Sequence, residues 1–534
     1  AQTSIGGIDM LATPRIVAAV LAGLLCVGWA ANAAADDLSK RTELLEQQII
    51  ELPKELGAIQ AEQMKQQQET AKKLEQTAAE NHDAVENLRD STLGLMERVK
   101  VGGYGSARYE ANTLAQDNNT FTLRRLVVTT DARIAPRIRF MSEIEYERFR
   151  KLELERRVTP RAGGGLTAQQ AVGGADQSEL SLEQAWLQYD VADWIAFRAG
   201  AMLVPLGRFN LRHDDNLWNL PRRSLVDTGT PVLPIAAAWD ELGAGLAGQH
   251  SVGRYGLLDY QFYVMNGAAL DAEIENVVET RANDTTKIEA EVAVSPRTGT
   301  FANDVKNAKA LAGRVAWSPA PGHQVAPSFY WGRYTPSYLP SKDVWSIAID
   351  GITTWGPFQL EGEGVYTRFE GIPTVAKSFA QLVGNQVSEG ESGDVQTAVN
   401  FQLANLARTK IGYWLEARYS FWPELLRSTF LGSEFKDPQL IPTLRWEQVW
   451  LQGLLQDAAF SNGMLTSFQS QNRIADRITI GLAYRPTPLV VAQLAYEYTW
   501  TNHGKSLADV TNFIPAGPRE SDMQSVLFGV AFGF

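Results

Sequence analysis

One cysteine, Cys26, serves the whole 534-residue chain, which excludes a disulfide framework and a cysteine zinc site. The five histidines each stand alone in sequence, so no histidine-rich metal motif can be read, and we expect neither metal nor cofactor. No G-x-S-x-G elbow is present and no histidine has a catalytic context, so the pattern points away from an enzyme. A basic excess is also missing: the net charge is −12, and without a basic stripe a nucleic-acid partner is excluded. Beyond the first 35 residues no apolar run is long enough for a membrane helix. A mean hydropathy of −0.19 is that of a soluble chain.

Near the start, Arg15 precedes an apolar stretch from Ile16 to Ala30 and a small-x-small site at Ala31-Asn32-Ala33. This is the form of a secretory signal peptide over 1–35, with Met10 as a candidate start, and its removal takes Cys26 with it. Residues 36–98 contain no aromatic side chain. Leu38, Leu45, Leu52 and Ile59 recur at heptad spacing with Ile49 and Leu56 between them. Leu74, Ala78, Asn81, Val85, Leu88, Thr92 and Leu95 continue in a shifted register, which predicts an α-helical coiled coil with a discontinuity. Pro53 and Gly57 predict a kink near its beginning.

From residue 99 to 534 the period changes to two. Ile411, Tyr413, Leu415, Ala417, Tyr419 and Phe421 alternate with Trp414, Glu416, Arg418 and Ser420, and Ile478, Ile480, Leu482 and Tyr484 with Arg477 and Thr479. Short links such as 135–137, 192–193, 319–322 and 355–356 alternate with long ones at 151–178, 203–237, 267–304, 370–409 and 502–520. The rhythm predicts 16 antiparallel strands (range 16–18), with 394–406 as a further strand candidate and 423–437 too long for a simple turn. Charges of both signs on one face could not be solvated in a dry sandwich core. Aromatic residues collect at segment ends, among them Trp194, Trp239, Trp317, Trp331, Trp345, Trp422 and Trp500. The fold class is therefore an all-β transmembrane β-barrel, placed in a bacterial outer membrane with the coiled coil in the periplasm. Its partners are membrane lipid and lipopolysaccharide, the acidic 267–304 link being either a cation-bridged contact to the latter or a solvated face.

Face assignment puts Arg125, Arg133, Arg139, Arg198, Arg314, Arg418, Arg445, Arg473 and Arg477 on the inner side. Glu143, Glu145, Glu147, Glu241, Asp259, Asp350, Glu361, Glu363, Glu416, Glu447 and Glu497 accompany them. These charges either line a passage or pair across strands and keep its wall wet. The proline-restrained link 203–237 carries Arg208, Arg212, Arg222 and Arg223, an anion-attracting constriction if the loop folds inward and a self-paired surface loop if it does not. The polar rows hold almost no lysine, Lys151, Lys287, Lys342, Lys377 and Lys505 being in or beside loops.

The run Phe121-Thr122-Leu123-Arg124-Arg125, the segment Glu183-Gln184-Ala185-Trp186-Leu187-Gln188-Tyr189, and Asp193-Trp194-Ile195-Ala196-Phe197-Arg198-Ala199-Gly200 followed by Val204-Pro205-Leu206-Gly207 together resemble the phosphate-selective porin O and P family. The resemblance covers about 435 residues and implies a 16-stranded homotrimeric channel with a periplasmic coiled coil and arginines along the passage. The family's lysine cluster has no counterpart in the polar rows, so phosphate specificity does not follow. The expectation is a passive porin for small hydrophilic solutes, general or anion-leaning. The alternative is a structural anchor whose coiled coil contacts peptidoglycan.

Overall fold

The computed structural model describes residues 98–534 apart from 115–118, 148–151, 161–165, 175–178, 228–230, 283–284, 300–303, 389–393, 404–405, 462–463 and 502–520. Before residue 98 it describes only Glu62, Lys65, Glu69 and Lys72, all helical and exposed, so the expected signal peptide and coiled-coil seam lie outside the described residues. The chain divides into two compact units, Ala1–Leu93 and Gly94–Phe534.

The second unit is a closed antiparallel barrel. Its first strands are β1 (Val99–Asn112), β2 (Thr120–Ala135) and β3 (Ile138–Glu147), followed by a separate hairpin of β4 (Leu152–Pro160) and β5 (Leu166–Gly174). The wall continues with β6 (Glu179–Ala192), β7 (Ile195–Leu203), β8 (Asp240–Ser251) and β9 (Leu257–Met265). A second insertion, β10 (Ala269–Ala282) and β11 (Thr285–Arg297), precedes β12 (Ala310–Ala320), β13 (His323–Arg333), β14 (Asp343–Trp355) and β15 (Phe358–Phe369). Helix α1 (Ile372–Ser388) and β16 (Asp394–Leu403) come next, then β17 (Ala407–Tyr419), β18 (Gln439–Ser461), β19 (Met464–Thr487), β20 (Val490–Thr501) and β21 (Asp522–Gly533).

Each wall strand pairs with its neighbours around the ring β1-β2-β3-β6-β7-β8-β9-β12-β13-β14-β15-β17-β18-β19-β20-β21. Pairing of β21 with β1 closes it, and Gly103 and Phe534 exchange backbone hydrogen bonds of 3.1 and 3.0 Å at the seam. The ring has sixteen strands, as the alternation predicts.

Three of the expected long links carry more structure than loops. Residues 151–178 hold the β4–β5 hairpin and 267–304 the β10–β11 hairpin. In 370–409, α1 leads into β16, the strand candidate at 394–406. Strands β18 and β19 outrun the wall, and β16 pairs antiparallel with the far end of β18 and parallel with β11, which seats the extra strands as an extension of the wall. The 420–438 link holds a single 3-10 turn at Glu424–Leu426.

Alternation decides what meets lipid. Ile347 and Ile349 of β14 face outward at 52% and 58% exposure, while Ser346 and Asp350 are buried inside. In β21, Val526, Phe528, Val530 and Phe532 are exposed and Ser525, Leu527 and Ala531 are buried. Replacing Ile349, midway along β14, by arginine should therefore destabilise the barrel by about 2–4 kcal/mol, whereas Ile349→Val should change little. Urea unfolding of the protein folded into lipid vesicles measures both.

Candidate functional site

The inner surface is shaped by the segment between β7 and β8, which turns into the barrel. Val204 and Leu206 begin the descent, and Gly207 has the left-handed φ of 71° that redirects the chain. A Cβ on Gly207 would overlap the Glu363 carboxylate. That carboxylate accepts the backbone N–H groups of Arg208 and Phe209 at 3.0 and 2.9 Å, satisfying the open start of the helical turn Arg208–Leu211.

Inside, the segment makes an apolar core of its own. Phe209 stacks on Trp218 with centroids 4.5 Å apart, and Trp414 of β17 meets Trp218 edge-on at 5.6 Å. Leu225, Val226, Val232, Leu233 and Trp239 are buried with them against Val449 and Leu451 of β18. Each such side chain contributes roughly 1.5–3 kcal/mol on burial. The interior is thus part charged and part apolar, where alternation alone predicts a wet charged wall.

Ion pairs surround this core. Arg208 is buried and pairs with Glu361, with Gln324 at 3.1 Å and Asp350 at 3.9 Å beside it. Glu361 also takes Arg418 and, at 3.6 Å, Arg212. Arg314 forks onto Asp350 at 2.7 and 3.2 Å. Farther round, Arg222 pairs with Glu110 and with Glu497 at 2.7 Å. Arg223 donates to the carbonyls of Ala237 and His213 and lies 3.8 Å from Asp227. Arg445 lies 3.6 Å from Glu416 and 3.5 Å from Glu447, and Arg477 lies 3.7 Å from Glu447. Arg445 and Arg477 also donate to the backbone carbonyls of Arg222 and Arg223, so wall arginines hold the loop's main chain as well.

Of the residues expected at a constriction, Arg208, Arg222 and Arg223 are anchors with their charge compensated, while the Arg212 side chain keeps 39% exposure. Among the expected channel-lining residues, Arg125 pairs with Glu145 at 2.9 Å and Glu143 accepts from Gln184. Arg133 and Arg139 are exposed near the short β2–β3 turn, where Arg139 pairs with Asp131 at 2.6 Å. Arg198 lies 4.1 Å over the Trp186 ring and donates to Gln188 and to Tyr263 at 3.1 Å, all neutral partners. Arg473 is buried on the part of β19 paired with Leu451. Glu241 is fully buried, accepting from Trp239 at 2.9 Å and from the backbones of Gly267 and Gly299.

Two lumen residues lie off the alternation because each occupies a bulge. Ser106 pairs with Arg125 and Ala107 with Leu123, so Arg124 is the extra residue and turns inward beside Arg125. It lies 3.5 Å from Asp215, which also accepts from the Ser106 hydroxyl at 2.6 Å. Burial raises the Asp215 carboxyl, but Arg124, Arg125 and Arg223 outweigh it and hold the group well below the usual carboxylate range. In the same way Glu143 pairs with Gln184 and Ile144 with Leu182, which leaves Glu183 as a bulge residue buried next to Gln184. The expectation of almost no inward lysine needs correction as well. Lys410 of β17 is fully buried, donates to the Pro231 carbonyl at 2.9 Å and lies 5.3 Å from the Phe369 ring centre. Lys306 is likewise buried against the carbonyls of Gly267, Ala268 and Arg333.

Two cavities flank the loop. One of about 380 Å³ is lined by Arg125, Glu145, Glu183, Ala237, Asp240 and Gly299, and one of about 490 Å³ by Arg208, Ser318, His323 and Gln324.

No protein-family model matches the chain. An uncharacterized protein of Aquifex aeolicus (strain VF5) is 25% identical over 169 residues, 32% of each chain, so the match spans about a third of that relative's length. Among solved structures the chain is similar to the outer membrane channel DcaP of Acinetobacter baumannii, with 8% identity and a TM-score of 0.41 over 82% of this chain and 97% of that one. It is similar to an anion-selective porin from Comamonas acidovorans, with 11% identity and a TM-score of 0.42 over 82% and 99%. For Salmonella typhi OmpF in complex with daunomycin the values are 10% and 0.43 over 82% and 97%.

Glu361 compensates three guanidinium groups at once. Glu361→Gln should cost about 3–5 kcal/mol, as expected when one member of a buried ionic cluster is lost. It should also expose the bonds after Arg208 and Arg212 to trypsin under native detergent conditions, whereas the parent loop stays intact. Protease mapping by mass spectrometry alongside urea unfolding reports both effects.

Proposed function

We propose that the chain forms a passive outer-membrane diffusion channel for small hydrophilic solutes. The observation that carries this reading is the closed ring with a lipid-compatible outside and a charged inside crossed by one long loop. A structural anchor would have no need of so many buried charges within its wall, since each costs desolvation free energy and has to be compensated. The loop packs inside the ring and is held to the wall on several sides, so the passage is narrow and its conductance low. Packing of this kind suits selection among small solutes better than bulk flow.

The anion preference in this reading rests on Arg198 and Arg212. Both guanidinium groups keep access to solvent, and Arg198 has only neutral hydrogen-bond partners in the described wall. A planar, permanently charged fork over an aromatic ring can hold a small anion and release it again. Arg208, Arg222 and Arg223 fix the loop and through it the width of the passage. The homotrimer and a periplasmic coiled coil reaching the cell wall belong to the same proposal.

Planar-bilayer recording of the purified protein tests it. Small, passive, ohmic steps are expected, and their absence would overturn the channel reading. Changing both Arg198 and Arg212 to glutamine should move the reversal potential in a salt gradient toward cations. The triple variant Arg208→Gln, Arg222→Gln, Arg223→Gln should instead raise conductance by releasing the loop. An unmoved reversal potential in the double variant would sink the anion preference.

A further inference from the structure

His213 lies in the inward loop, 2% exposed, against wall residues contributed by β3 and β6. Its Nδ1 is 2.9 Å from the carbonyl oxygen of Asn210. A carbonyl only accepts, so the ring proton belongs on Nδ1. That leaves Nε2 as a lone pair, and Nε2 faces the Glu183 carboxylate at 3.1 Å, with Asp214 at 3.7 Å. Two acceptors set face to face need a positive charge between them, supplied either by a second ring proton or by a metal ion. A histidine whose far nitrogen donates to a backbone carbonyl while the near one meets carboxylates has the arrangement of a metal ligand.

The surroundings favour the metal. One ligand atom each of Glu143, Glu183 and His213 lie within 4.8 Å of one another, and all three residues are buried. In a filled tetrahedral zinc site, bonds of about 2.0–2.2 Å set ligand atoms roughly 3.4 Å apart, a spacing that Nε2 and the Glu183 oxygen at 3.1 Å are already close to, so a closure of about an ångström or a little more at most is left to the other pairs. Glu145 supplies the independent sign. It is 3% exposed, one oxygen pairs with Arg125, and the second oxygen has no hydrogen-bond donor. Glu145 and Glu183 line the same cavity, and two buried ionised carboxylates facing one space favour a cation there. The basic groups nearby are already committed, Arg125 to Glu145 and Arg223 to the carbonyls of Ala237 and His213. The 380 Å³ cavity lined by Glu145, Glu183 and Asp240 provides an approach.

We propose that Glu143, Glu183 and His213 form a binding site for a divalent transition ion of the zinc or manganese class, which fastens the inward loop to the barrel wall. One imidazole with two carboxylates suits these ions, whereas calcium and magnesium favour all-oxygen sites. Glu145 or a water from the cavity completes the coordination. The site owes nothing to whether the barrel conducts.

The test uses the full chain, folded in detergent without a polyhistidine tag and stripped with chelator. A background in which His82, His250, His323 and His503 are all glutamine leaves His213 as its single imidazole. Titration with Zn²⁺ should give one site per chain, and Co²⁺ should give the visible spectrum of nitrogen-and-oxygen coordination. Glu143→Gln and His213→Asn should weaken Zn²⁺ binding by at least about 100-fold, more than the loss of an outer-shell partner. The heat-induced mobility shift of barrels in detergent gels reports whether each variant has folded. If a variant does not fold, the Co²⁺ spectrum of the background protein decides by itself. Absence of Zn²⁺ binding, or binding unchanged in the folded variants, would overturn the site and leave His213 as an imidazolium paired with Glu183.

Discussion

A sheet in hydrocarbon has no tolerable edge. Every backbone N–H and C=O must find a partner where no water is available, and for strands the solution is closure. The pairing of β21 with β1 supplies it, and the chain's last residue takes part through the exchange between Gly103 and Phe534. Closure also fixes where side chains go. Once the outer face is committed to lipid, alternate residues have to point inward, and the interior receives whatever charge the wall strands carry. Strand pairing, the lipid belt and the composition of the interior are therefore consequences of one requirement.

The interior then has a problem of its own. Buried guanidinium and carboxylate groups are costly unless each is paired, and an apolar surface inside the ring must be covered. The segment after β7 answers both needs at once. Its aromatic and aliphatic residues pack on Trp414 and Val449, and its arginines meet Glu361, Glu110 and Glu497. Wall arginines return the contact by holding the carbonyls of Arg222 and Arg223. The loop is less a flap laid over a pore than a second core built within the first.

Period two makes the wall legible in the sequence, because a half-buried strand has no other way to satisfy lipid and lumen together. It carries no information where the period slips. Arg124 and Glu183 sit at bulges, where one extra residue puts two neighbours on the same side, and strict alternation assigns both to the wrong face or to none. The β10–β11 hairpin is hidden for a different reason: it extends the wall instead of belonging to the ring, so counting by turn rhythm leaves it among the links, whereas β16 matches the strand candidate at 394–406. Lys410 escapes because its partner, the Pro231 carbonyl, lies 179 residues away. The pairing of β3 with β6 brings Glu143 and Glu183 together, but His213 reaches them only through the inward loop, and no spacing along the chain encodes that.

A net charge of −12 is a weak guide to what would pass such an interior. Most of the inner charge is spent internally: Arg445 and Arg477 face Glu416 and Glu447, and Arg314 faces Asp350, all buried. A compensated pair produces a short-range field that falls away within a few ångströms, whereas an accessible charge with neutral partners acts across the whole width of a narrow passage. If the barrel conducts as proposed, its selectivity follows the few accessible groups and not the sum. Arg198 over Trp186 has that character, whereas Arg212 shares Glu361 with Arg208 and Arg418 and differs from them in keeping 39% of its side chain exposed. The distinction appears only when the opposing strand and the inward loop are both in place, so the same residue type serves as mortar at one position and stands as an accessible charge at another.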